Sequence, residues 1–215
     1  MSETTQPTTQ KIYYDPISVA QRTPQKLYHV APSDKTAMLT HIIQNTKDIR
    51  LIVMTKTKRM ADTLATHLNS LEITATSVHG SKRTQEIEAA TLAFNEGELA
   101  VIITTDMILQ SLKLDNITHL ISYDLPSEPD HYLNRMVCLK EVGEAIVLIS
   151  EDQEVELLDI ERVMRHEISE AQLEGFEPAP FSVDTVMPKS RDKKKKPRHR
   201  KKKSKKATNS ETTEK

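Results

Sequence analysis

Glycine is scarce in this chain. Only four of its 215 residues are glycine, at positions 80, 97, 143 and 175, and none stands in a G-x-x-x-x-G-K frame. A P-loop needs glycines that let backbone amides wrap phosphate, followed by Lys and then Ser or Thr. This sequence has no such cradle. Cysteine is rarer still. The single Cys138 excludes an internal disulfide framework, fits a reducing compartment and is expected to pack as a small hydrophobe. With the eight histidines it makes no spacing of the C-x-x-C or H-E-x-x-H kind, so no zinc or other metal site and no nucleophilic triad is expected. Long apolar runs are missing too: none approaches the ~18 residues of a membrane-spanning helix. The opening MSETTQPTTQ has neither the basic start nor the apolar core of a secretory leader. The expectation is a cytoplasmic protein without a membrane partner.

Net positive charge is absent only on average. The formal charge is −1, yet residues 1–188 hold 16 Lys and Arg against 28 Asp and Glu, a net of −12. Residues 189–206 hold 13 against one, a net of +12. An acidic body therefore carries a basic tail. The length leaves room for one ordinary domain with tails. The expected divisions are a polar, disordered segment 1–22, a folded body 23–180, and a disordered tail 181–215 with its basic run at 189–206.

Within the body, short apolar runs of strand length alternate with helical patterns. Candidate strands occupy 25–30, 51–54, 73–78, 99–103, 120–123 and 145–149, the last taken as the final buried strand. Between them, Met38, Leu39, Ile42 and Ile43 share one helix face, as do Ala61, Leu64, Ala65 and Leu68, and then Ile87, Ala90, Thr91 and Phe94. Ser33 is the expected cap of the first helix, and Gly97 is placed to stop the third. Ser150 and Gln153 can form a capping box for a closing helix whose apolar face is Leu157, Ile160, Met164 and Ile168. Such alternation predicts an α/β domain with a mostly parallel sheet, whose strand carboxyl ends carry the functional loops.

Two of those strand ends carry recognisable frames. After the strand at 99–103 comes Thr104-Thr105-Asp106, three residues, then Gln110-Ser111-Leu112-Lys113. Further on stands Asn134-Arg135-Met136-Val137-Cys138-Leu139-Lys140-Glu141. These resemble the fifth and sixth motifs of DEAD-box RNA helicases, A-T-D-x-x-x-R-G-x-D and H-R-x-G-R-x-x-R, with the spacing kept and most working residues changed. Thr55-Lys56-Thr57-Lys58 resembles the fourth motif, with Met54 where the family has phenylalanine, and His79-Gly80 matches its H-G turn. The Q-x-x-R that follows is not kept, since Thr84 and Ile87 stand there. LLDIERVMRHEISEAQLEGFEPAP, residues 157–180, is similar to the end of the RhlE-type branch of bacterial DEAD-box helicases. The resemblance spans about residues 12–180 and implies a RecA-like, three-layer α/β domain corresponding to the second of the two RecA domains. There is no D-E-A-D run to hold magnesium, so the first, ATP-binding domain is not expected in this polypeptide.

Phosphoryl transfer depends on positioned positive charge, and an arginine finger typically supplies ~10³ to 10⁵ in rate. By resemblance the nucleotide-facing positions are Gln110, Lys113, Cys138 and Glu141, where the family's arginines and ribose-binding aspartate are replaced. A carboxylate at a finger position repels a γ-phosphate. No cofactor is expected, and no ATP binding without a partner domain, so the chain is expected not to be an enzyme on its own. The resemblance implies RNA contact by Thr57, Lys58, His79, Gly80, Thr105, Asp106 and Arg135. Local readings stand beside these: Thr57 and Lys58 as a solvated helix start, His79-Gly80 as a turn, Asp106 as the cap of a helix beginning at Met107, and Arg135 in a surface ion pair with Glu141 or Asp130.

The tail adds Arg191, Lys193, Lys194, Lys195, Lys196, Arg198, Arg200, Lys201, Lys202, Lys203, Lys205 and Lys206. Binding through them is driven by counterion release and carries little sequence information; aromatic residues for base stacking are nearly absent. The first expectation is a non-catalytic binder of RNA, including ribosomal RNA, in the bacterial cytoplasm. Two others remain open: a half-helicase that docks on a separate first RecA domain, and an interaction module whose acidic body recruits basic partners such as ribosomal proteins.

Overall fold

The computed structural model describes residues 15–139 and 143–176. All of them fall within the unit 1–179 into which the chain divides. Residues 1–14, Glu141 with its two neighbours, and the whole basic run 189–206 lie outside the described residues.

The strands are β1 (Gln25–His29), β2 (Leu51–Met54), β3 (Ala75–Val78), β4 (Val101–Thr104), β5 (His119–Ser122), β6 (Glu144–Ile149) and β7 (Ser169–Glu170). They form one sheet in the order β3-β4-β2-β5-β6-β1-β7, and every pairing is parallel. Strands buried on both faces read as continuous apolar runs, which is why LIVM in β2 and VIIT in β4 are buried throughout.

Alternate residues of each strand feed two separate cores. Leu51, Val53, Val101 and Ile103 pack under α2 (Lys35–Asn45) and α3 (Lys58–Ser70). Ile52, Met54, Ile102 and Leu120 pack on the other face, under α1 (Pro16–Arg22), α4 (Thr84–Glu96), α6 (Pro129–Cys138) and α7 (Glu154–Met164). Each fully buried Leu or Ile contributes ~1.5–3 kcal/mol by leaving water. The result is the three-layer RecA-like α/β arrangement expected from the sequence.

Several local expectations are corrected. Residues 16–22, assigned to a disordered segment, form α1: Asp15 caps it by accepting from Ser18 N at 3.3 Å and Ser18 Oγ at 2.8 Å, Pro16 opens it, and Val19 and Ala20 are buried. Two buried residues with the partly buried Ile17 are too few to show a period, and the docking of α1 on α6 and α7 is what holds it. The cap position of α2 is Asp34, without a side-chain cap bond; Ser33 Oγ bonds Asp34 instead. No capping box forms at Ser150, because a 3₁₀ turn (Glu151–Gln153) precedes α7 and Gln153 turns inward. The 145–149 strand is the last buried one, as expected, but an exposed two-residue β7 is added to β1 at the sheet edge. Gly97 does end α4, with φ 86° in the left-handed region that an unbranched backbone tolerates.

Candidate functional site

A parallel sheet sends all its strand carboxyl ends to one edge, so the loops after β3, β4, β2 and β5 stand side by side. The loop after β2 is pinned on both sides. Lys56 N donates to Asp124 Oδ2 at 3.0 Å, tying it to the loop after β5. Thr57 caps α3 by accepting from Met60 N at 3.1 Å. The ends of β2 and β3 are separated by β4, roughly 10 Å at the usual strand spacing. Lys58 spans that gap, donating from Nζ to Ser81 Oγ at 2.8 Å. Lys56, Lys58, Arg59 and Arg83 are exposed and Lys82 is half-buried, so five cations of an acidic body gather on two touching loops. Their N–H donors are a chemistry suited to phosphate oxygens.

His79 is only 4% exposed. Its Nε2 lies 3.2 Å from both carboxylate oxygens of Asp62, and Ser81 N donates to its Nδ1 at 3.4 Å. Asp62 also accepts from Ser77 Oγ at 2.6 Å and pairs with Lys82 at 3.0 Å. The Ser77 hydroxyl first, then Lys82 and His79, hold its carboxyl down at about 2. His79 therefore orders the turn through an internal partner. Gly80 occupies open space, with nothing within 4 Å of a Cβ placed there.

The largest departure from expectation is at Arg135. It is completely buried, and its guanidinium forks onto the Asp106 carboxylate at 2.7 and 2.8 Å while Nη1 donates to Ser122 Oγ and Asp124 O, both at 2.9 Å. The expected surface pair with Glu141 or Asp130 is replaced by this internal one. Asp106 does not cap a helix either: it is the first residue of α5 (Asp106–Leu109), Thr105 takes the cap position, and both Asp106 oxygens are spent on Arg135. Asp106 and Arg135 thus lock each other, because a buried guanidinium needs a carboxylate and further acceptors to offset its desolvation. Thr105 itself is buried.

Of the replaced positions, Gln110 is exposed at the end of α5. Lys113 and Cys138 line one cleft of about 310 Å³ with Ile52, Leu109, Leu112, Leu114, Asp115 and Ile117. Five of those eight residues are aliphatic; Asn95 Nδ2 donates to Lys113 O at 2.8 Å, Asp115 N to Asn95 Oδ1 at 3.0 Å and Cys138 Sγ to Asn134 O at 3.5 Å. Among the described residues no group of three or more His, Cys, Asp or Glu is placed to hold a metal ion.

Sequence reasoning missed Lys35, a buried lysine at the start of α2 that donates to Tyr123 O at 3.0 Å and to Gln153 Oε1. Burial pushes its amine below the usual lysine range, with Asp124 and Asp152 opposing. It joins α2 to the loops after β5 and β6. A lysine in a first helical turn carries no sequence sign of burial, since its acceptors lie 88 and 118 residues away. Asp62 and Asp124 were missed for the same reason.

Comparison with known proteins agrees with this geometry. The family model of the helicase conserved C-terminal domain matches residues 34–137. The fold is similar to that of the E. coli DEAD-box protein SrmB, solved bound to regulator of ribonuclease activity A, with a TM-score of 0.68 and 22% identity over 74% of this chain and 95% of that one. A DEAD box protein from Methanococcus jannaschii matches with a TM-score of 0.67 and 24% identity, over 72% of this chain and 43% of that one. S. cerevisiae Dbp5, solved bound to RNA and ADP BeF3, matches with a TM-score of 0.64 and 22% identity, over 70% and 42%. The chain thus spans less than half of the two longer proteins. Residues 34–137, which the model of the helicase conserved C-terminal domain matches, thus lie within a parallel RecA-like sheet whose fold is similar to that of DEAD-box proteins.

Proposed function

We propose that this chain is an RNA-binding protein of the bacterial cytoplasm that does not hydrolyse ATP, holding RNA or ribonucleoprotein through the loops after β2 and β3 and through the basic run 189–206. The observation that carries the reading is the division of labour at the carboxyl edge. Lys56, Lys58, Arg59, Lys82 and Arg83 stand on two touching loops, whereas Arg135, the one arginine kept in the sixth motif frame, is turned wholly inward onto Asp106. Cations remain for a polyanion, and none of the family's finger arginines stands at 138 or 141. Dbp5, similar in fold, was solved with RNA bound, and the likeness of residues 157–180 to the RhlE-type branch makes ribosomal RNA the substrate class.

Two measurements test it. Lys58→Ala with Lys82→Ala is expected to weaken single-stranded RNA binding by roughly tenfold at ~0.15 M salt, about 1.4 kcal/mol, with the chain still folded by its cooperative unfolding transition. The full chain is expected to release no phosphate from ATP when RNA is supplied. RNA-dependent phosphate release would overturn the non-catalytic half of the proposal, and unchanged affinity the RNA-facing half.

A further inference from the structure

Helix α7 has two apolar sides. Leu157, Ile160 and Met164 point at the sheet and are buried. On the opposite side Val155 is 70% exposed and Leu158 59% exposed. Residues three apart are neighbours on a helix surface, and at 3.6 residues per turn Val155 stands at the pole farthest from the buried stripe. Val163 flanks that pole at 36% exposure. Single exposed aliphatics are ordinary; here they adjoin at the centre of a solvent face, where a surface helix normally carries its charge.

The surroundings of this pair are acidic. Glu151 and Asp152 on the preceding turn and Glu154 at the helix start are exposed, and Asp159 lies beside Leu158. The cation of this face, Arg162, is paired with Asp159 at 3.0 Å. Such a surface repels nucleic-acid phosphate and anionic lipid. It also disfavours a second copy of itself, since a two-fold contact would set the same carboxylates against each other. What matches is a surface with aliphatic residues at helical spacing, ringed by Lys and Arg.

We propose that the solvent face of α7 is a docking site for a cationic amphipathic helix of a protein partner, whose aliphatic side chains cover Val155 and Leu158 and whose Lys and Arg pair with Glu151 and Glu154. This surface is opposite in sign to the cationic loops after β2 and β3, and meets them where Lys56 Nζ lies 4.0 Å from Glu156 Oε1 on the flank of α7. The chain's own basic run 189–206 holds no aliphatic residue, so it can match the carboxylates but not the apolar pair.

The test uses the full chain and two labelled probes at ~0.15 M salt: a leucine-lysine peptide of about four helical turns with apolar i, i+3, i+4 spacing, and an oligolysine of equal charge. The amphipathic peptide is expected to bind more tightly than oligolysine. Val155→Ser with Leu158→Ser is expected to weaken the amphipathic peptide by about tenfold or more, leaving oligolysine and RNA binding as they were. Glu151→Lys with Glu154→Lys is expected to weaken both peptides. The proposal is overturned if the Ser pair leaves amphipathic-peptide affinity unchanged, if oligolysine binds equally well, or if the wild-type chain sediments as a dimer that the Ser pair dissociates. RNA affinity read on the same variants separates failure here from failure of the RNA reading.

Discussion

Arg135 is a fully buried charge whose partners give it a structural role. Its guanidinium has four acceptor atoms within 2.9 Å and no exposure. Removing one partner of a buried pair strands the other, typically at ~3–5 kcal/mol. Arg135→Ala is therefore expected to lower stability by about that amount, read as a drop in the urea midpoint at unchanged slope; a midpoint equal to wild type would refute the assignment. Asp62 supplies a second prediction at this scale. Its folded value of about 2 lies below the 3.8 of an unperturbed carboxyl, so the unfolded chain binds the proton more readily. Its contribution is complete above the unfolded value and disappears as pH falls through the folded one. Because the side chain is 48% exposed, solvent screening keeps that contribution small. Between about pH 5 and about pH 2, wild type is expected to lose more stability than Asp62→Asn; parallel pH profiles would contradict this.

At the scale of elements, legibility followed the number of apolar residues each one commits. The strands LIVM and VIIT, and the faces of α2 and α3, were visible because four or more residues repeat at the period of the element. Helix α1 and strand β7 were not, because each owes its existence to a neighbour: α1 to α6 and α7, β7 to the edge of β1. Gly143 is a case of close approach that spacing cannot reveal. A Cβ there would lie 2.6 Å from Leu139 Cδ2, 2.9 Å from Thr118 O and 3.1 Å from Ile117 O. Leucine can turn aside, but two backbone carbonyls at the start of β5 cannot. Gly143→Ala is expected to cost ~1–3 kcal/mol as an overpacked contact, measured by thermal or urea unfolding. Gly80→Ala, with open space around it, serves as the tolerant control.

Over the whole molecule, charge is unevenly distributed. Five cations of the body stand at the ends of β2 and β3, carboxylates of α7 surround an apolar pair, and the sequence places 13 of its 30 Lys and Arg in 18 tail residues. If the tail neutralises about six to eight phosphates of a single strand, log K falls with log salt at a slope of roughly −4 to −6. Deleting residues 189–206 is expected to remove most of that slope and to leave the part due to the loops after β2 and β3. A tail-less chain with the full slope would place RNA binding elsewhere. The same asymmetry explains a near-zero total charge that describes neither region.

Local pattern was enough to determine the kind of each main element and the parallel α/β class, because continuous apolar runs of strand length and the 3.6-residue helical period are written in adjacent residues. Tertiary structure alone decided what the polar side chains do. Arg135 meets Asp106 across 29 residues and Lys35 meets Tyr123 across 88. Such pairs arise only once the order β3-β4-β2-β5-β6-β1 has brought distant loops to one edge, where burial turns each charge from a surface ornament into an interaction the fold must satisfy.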